Sequence, residues 1–216
     1  MKKIIVFLGP SLSKEEALRI LPLADYRPPA GRGDVLKAIE DGAKIIGLID
    51  GVFYHRVTVT PREIMNAIDR GVIVVGGASI GALRACELDN YGMIGIGKIY
   101  NWYKEGKINA DDEVAVAYHP STYQPISEAL VNIRATLDHL LSKSKISEEE
   151  AKVILRIAKE VPFYLRNYNR IIQRCIPELG IKRAKEIFEI IKLERIDQKR
   201  EDAIEVLKKI KEIEVF

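Results

Sequence analysis

Apolar residues fall in short unbroken runs through the first half of the chain and in helical stripes through the second. Ile4 to Leu8, Ile45 to Ile49 and Val72 to Val75 are rich in β-branched residues with no polar interruption, the pattern of parallel strands buried on both faces. Between them stand helix starts. Ser13-Lys14-Glu15-Glu16 is a capping box for a helix to about Leu21, Val35 to Glu40 is a second helix, and Thr60-Pro61-Arg62-Glu63 opens a third with proline at its first position. Ala24-Asp25-Tyr26 reads as a short edge strand, and Val114 to Tyr118 as another strand, ending at His119-Pro120. Gly92 to Gly97 is too glycine-rich for an ordinary strand, and Ile99 to Tyr103 is a short aromatic helix for core and rim packing or a partner surface.

From Pro125 onward helices replace strands. Ile126 to Leu141 is amphipathic, Ser147 to Glu150 is a capping box, and stretches near 161–175, 180–192 and 196–213 continue the helical texture. The pattern predicts an α/β fold, an open and mostly parallel sheet flanked by helices, followed by an all-helical C-terminal subdomain. The expected domains are 1–122 and 123–216.

With 216 residues and 47% apolar content, the chain can bury a true core. Met1-Lys2-Lys3 leads directly into the first strand, too short a run for a signal segment or a membrane span, so a cytoplasmic protein is expected. The net charge of +3 hides an asymmetry, because residues 151–216 hold 16 Lys and Arg against 11 Asp and Glu. These charges alternate at helical spacing, which favours solvated helix faces over a nucleic-acid groove. Cys86 and Cys175 form no ligand spacing and read as small core residues rather than a disulfide or zinc site. Asp111-Asp112-Glu113 reads as a solvated turn rather than a metal site, since no spaced histidine joins it.

Candidate chemistry concentrates where Val72 to Val75 ends. Gly77-Ala78-Ser79-Ile80-Gly81 has nucleophile-elbow spacing, in which small residues let a sharp strand-to-helix turn expose a serine hydroxyl. The competing reading is a helix cap, the commonest use of serine at such a turn. Gly81 tilts the balance: within the first helical turn it costs about 1 kcal/mol relative to alanine, so it answers to close approach of backbone or ligand. Asp50-Gly51 ends a buried strand at the edge where Gly9-Pro10-Ser11 and Ser79 should lie, and carboxyl edges of parallel sheets bind ligands. Asp50 is therefore a candidate acid, base or orienter, or else part of an ordinary turn. Arg32 and Asp34 form either a structural loop or a pair that positions an anion.

The stretch Gly76-Gly77-Ala78-Ser79-Ile80-Gly81-Ala82-Leu83-Arg84-Ala85, with Glu87-Leu88 and Gly92-Met93, resembles the core of the TfuA-like family. Agreement extends to Phe7 through Leu12, Arg27-Pro28-Pro29-Ala30, Gly33-Asp34, Ile49-Asp50-Gly51, Arg62-Glu63-Ile64 and Asp111 through Val116, so the resemblance covers about residues 3–120. It implies partnership with a YcaO enzyme, which uses ATP to activate a backbone amide whose oxygen is replaced by sulfur. It further implies recruitment of a thiocarboxylated, ubiquitin-like sulfur-carrier protein and release of its sulfur. In archaeal relatives the target is a glycine of methyl-coenzyme M reductase; elsewhere it is a ribosomally made peptide.

On the first reading of these residues beside the resemblance, the protein is a hydrolase-like sulfur-transfer accessory in which Ser79 is the nucleophile or water-orienting hydroxyl. Backbone N–H groups at Ile80 and Gly81 and in the Gly9-Pro10-Ser11 loop would hold the oxyanion, and His119 with Asp50 would manage the proton. Gly77 and Arg84 belong to the same binding segment. His119 is preferred over His55 as the base because it is expected to end a strand. No metal, cofactor or nucleic acid is called for. The alternatives are a binding module that grips the carrier and activates YcaO by docking, and a nucleotide-binding flavodoxin-like domain.

Overall fold

The computed structural model describes residues 2–53 and 57–215. Strands and helices alternate as β1 (Ile4–Phe7), α1 (Lys14–Ile20), β2 (Asp25–Arg27), α2 (Asp34–Glu40), β3 (Ile45–Leu48), α3 (Pro61–Asp69), β4 (Ile73–Gly77), α4 (Ile80–Leu88), β5 (Ile94–Ile96) and α5 (Lys98–Lys104). Helices α6 (Leu130–Ser142), α7 (Glu148–Glu160), α8 (Tyr168–Leu179), α9 (Ile181–Glu194) and α10 (Gln198–Val215) follow. Every strand pairing is parallel, in the order β2-β1-β3-β4-β5. That order is the flavodoxin-like, doubly wound arrangement, whose connections reverse direction between β1 and β3. All residues of β1 and β3 are buried, as unbroken apolar runs require when helices cover both faces.

Two compact units emerge, residues 1–111 with 199–216, and residues 112–198. The last helix thus belongs with the sheet, although the pattern along the chain had grouped it with the other C-terminal helices in 123–216. Ala203, Val206, Leu207 and Ile210 are fully buried in one cluster with Val6, Ile45, Ile49 and Val75. Two strand glycines make room for them: a Cβ on Gly47 would lie 2.7 Å from Ile210 Cδ1, and one on Gly77 would lie 2.6 Å from Val206 Cγ2. Asp202 fixes the helix end-on, accepting the Lys98 and Ile99 N–H groups at 3.1 and 2.7 Å and so capping α5 from a remote part of the chain.

The second unit packs α6 to α9 around its own core, which includes Leu130, Ile133, Leu137, Ile154, Ile157, Ile171 and Ile187. The capping box read at Ser147 and Glu150 is formed. Arg166 is fully buried and donates to Ala158 O, Asp112 O and Asp112 Oδ2, while Arg134 grips Glu113 through two hydrogen bonds. Two of the three carboxylates in 111–113 are therefore bound by arginines rather than left in a solvated turn.

Two local expectations are corrected. Val114 to Tyr118 is not a strand; its backbone pairs within its own loop, Ile126 N–H donating to Ala117 O and Tyr118 bridging Pro125. That same pairing delays the start of α6 to Leu130. Conversely, the glycine-rich stretch after Met93 does hold a strand, β5. Gly95 is needed there because a Cβ would lie 2.2 Å from the Tyr100 ring, a close approach of the kind that glycine in a strand marks.

Candidate functional site

The register aligns the ends of the central strands, pairing Phe7 with Leu48 and Leu48 with Gly76, so the loops after β1, β3 and β4 emerge at one edge. Asp50 stands at its centre and is almost completely buried, at 1% exposure. Its Oδ2 accepts the N–H groups of Gly9 and Ser11 at 2.9 and 3.0 Å, and its Oδ1 accepts the Ser11 hydroxyl at 2.7 Å. Gly9, Ser11 and Asp50 are thus brought together, but for a purpose other than an oxyanion hole. Both loop N–H groups are spent on Asp50, and Pro10 has none to offer. Asp50 accordingly organises the loop, with its acceptor capacity largely occupied.

After β4 the backbone turns through Ala78, which has φ of 65°. Ser79 N–H donates back to Gly77 O at 2.7 Å, closing a three-residue turn of the strained, left-handed kind. The strain that an elbow places on its nucleophile falls here on the preceding alanine, while Ser79 has φ of −132°. Such outliers concentrate at functional sites.

Ser79 is 4% exposed and occupies the N-cap position of α4, yet its side chain makes no capping hydrogen bond. Among the described residues neither its hydroxyl nor the Ile80 N–H has a hydrogen-bond partner. The next N–H, that of Gly81, donates to Ile49 O at 3.3 Å.

Gly81 is explained by this contact, since a Cβ there would lie 1.7 Å from Leu48 O. The glycine serves close backbone approach, the first of the two alternatives read from its cost. Gly76 is confined in the same way, by Gly81 O and Met93.

Beside the edge lies an open cleft of about 630 Å³ lined by Val52, Phe53, Thr58, Ile80, Leu83, Arg84, Glu87 and residues 109–111. Arg84 helps build it, donating to Val59 O at 2.9 Å and pairing with Glu87. Arg32 and Asp34 are held differently. Asp34 accepts the Gly31 N–H at 2.8 Å, and the buried Glu63 of the α3 capping box accepts the Gly33 N–H at 2.7 Å, whereas Arg32 is exposed.

His119 belongs to the other unit, on an exposed turn where its Nδ1 accepts the Ser121 N–H at 3.4 Å. His55 lies outside the described residues. On α4 itself, burial pushes the Cys86 thiol up, and in the helical unit Cys175 is raised to about 11 by the same cause; burial thus disfavours at both sulfurs the thiolate that nucleophilic chemistry needs.

One charged residue at the edge went unread. Lys199, 3% exposed, brings its Nζ to 3.9 Å from Asp50 Oδ1. Its signal was present but faint: positions 199, 202 and 203, 206 and 210 form one helical stripe, whose first two members are Lys and Asp instead of apolar residues.

No helix among the described residues is long and apolar enough to cross a membrane. No curated protein matches the chain. A family model described as TfuA-like protein matches residues 50–167, taking in Asp50, Ser79, Arg84 and His119 and leaving Gly9 to Ser11, Arg32, Asp34 and Lys199 outside. The matched span begins later than the resemblance read over 3–120 and reaches further into the helical unit. Because the match spans more than half of its residues, this chain belongs to the TfuA-like family.

Proposed function

We propose that this protein is the accessory partner of a YcaO enzyme in backbone thioamidation, and that it releases sulfur from a thiocarboxylated carrier protein at Ser79. The observation that carries the proposal is a Ser79 hydroxyl and an Ile80 N–H, side by side at the start of α4, that have no hydrogen-bond partner among the described residues. An elbow uses the N–H that follows its nucleophile as an oxyanion donor, and Ile80 stands in that position.

In the reaction, Ser79 Oγ attacks the acyl carbon of the carrier terminus, and its proton passes to the departing sulfur. The C–S bond breaks and sulfur leaves as hydrosulfide. Water then hydrolyses the acyl-serine ester, returning the hydroxyl and leaving the carrier with a carboxylate. Direct attack by a water that Ser79 orients gives the same products. The released sulfur feeds the YcaO reaction, whose substrate in archaeal relatives is a glycine of methyl-coenzyme M reductase.

A second reading is favoured by a different observation. Asp50 is occupied by its loop, and the described residues of the sheet unit include no histidine to serve as a base for Ser79. On this reading the edge grips the carrier terminus without turnover, and the protein acts by docking to YcaO.

Sulfide release from thiocarboxylated carrier by wild type and Ser79→Ala, at equal folded concentration and with carrier affinity measured separately, decides between them. The catalytic reading expects a fall of several orders of magnitude with affinity retained. Equal rates would remove Ser79 from the chemistry and leave the docking reading.

A further inference from the structure

Asp50 is needed where it is, because three donors of the β1 loop converge on it. Its position nevertheless places a buried negative charge at the edge where the Ser79 hydroxyl and the Ile80 N–H await an acceptor. The two features are close: Gly81 N–H donates to Ile49 O, one residue before Asp50. A donor pair at the N-terminus of a nine-residue helix suits an anionic oxygen or sulfur, and an uncompensated carboxylate beside it would repel that ligand. Lys199 answers this conflict. It comes from α10, outside the segment that the family model matches, and holds its ammonium 3.9 Å from Asp50 in a nearly dry environment.

We infer that Lys199 is a positioning residue of this site, cancelling the charge of Asp50 so that an anionic acyl terminus of a protein tail, carboxylate or thiocarboxylate, seats on Ser79 and Ile80. The inference rests on the reading of this edge as the acyl site, and it adds the residue that sets the charge there. Lys199 acts through Asp50, which in turn holds the Gly9-Pro10-Ser11 loop.

The test uses a fluorescein-labelled alanine–glycine peptide ending in a free carboxylate, and the same peptide as its C-terminal amide, with the full-length protein and fluorescence anisotropy. Wild type is expected to prefer the acid about tenfold or more. Lys199→Met should abolish that preference by weakening the acid and leaving the amide unchanged, and Lys199→Arg should retain it. In the double variant Asp50→Asn, Lys199→Met, which restores neutrality and remains informative should the single variant fail to fold, the preference should return.

A structural role alone would instead lower both affinities together, in step with the melting temperature. The inference is overturned by that result, by a wild type that does not distinguish acid from amide, by a Lys199→Met protein that keeps its preference, or by a folded double variant that does not regain it. Because the readout is binding, it separates from the hydrolytic reading: an acid preference that depends on Lys199, found without sulfide release, would count against turnover at Ser79 and support the role of Lys199.

Discussion

A single residue, Gly81, shows how local cost and tertiary demand oppose each other. As a helical glycine it forfeits about 1 kcal/mol that alanine would restore, yet a Cβ would drive to 1.7 Å of the Leu48 carbonyl oxygen. The obstacle is backbone on both sides, so no flexible side chain can move aside. Gly81→Ala is expected to destabilise the protein by about 1–3 kcal/mol or more in urea denaturation, as overpacking does; a gain in stability would show that α4 can slide off β3. Ser79 was legible as special from its spacing alone. That its hydroxyl leaves the helix uncapped was not, because the choice depends on the backbone dihedrals at Ala78 and Ser79, which the residue types do not specify.

At the level of elements, unbroken β-branched runs identified the central strands, and capping boxes located the starts of α1, α3 and α7. The failures came where pairing overrides composition. Val114 to Tyr118 has strand propensity but pairs within its loop, and β5 pairs with β4 in spite of its glycine. The long last helix looked like one more solvated helix, and only its buried stripe ties it to the sheet. Leu207→Ala should therefore cost about 2–5 kcal/mol, the usual range for a leucine removed from a core. The control is Leu193→Ala at an 85% exposed position, expected within about ±0.5 kcal/mol. Equal effects in urea titrations would mean that α10 does not close the sheet face.

For the whole molecule, two cores imply two reporters. Trp102, the chain's one tryptophan, is buried in the sheet unit, with the ammonium groups of Lys98 and Lys107 at 5.0 and 4.7 Å from its ring centroid, so its fluorescence follows that unit. Far-ultraviolet circular dichroism is weighted toward helices in both units. Ile154→Ala, in the core of the helical unit, is expected to lower the dichroism midpoint while the Trp102 fluorescence midpoint stays near wild type. Coincident shifts by both probes would show that the two cores unfold as one cooperative body.

Periodicity and turn chemistry act over a few residues. They suffice to make this chain α/β, to bury β1, β3 and β4, to place small residues around Ser79 and to bring Asp50 to the carboxyl edge. The family likeness was legible for the same reason, since its motif residues lie in short contiguous segments. Tertiary structure alone decided what those residues do to one another. It turned the Gly9 and Ser11 N–H groups onto Asp50, returned α10 to the sheet with Asp202 capping α5, and set Lys199 against Asp50. These contacts join positions tens to more than a hundred residues apart. They form only when apolar faces settle against the sheet and carry their polar neighbours into water-poor surroundings, where each must find a partner.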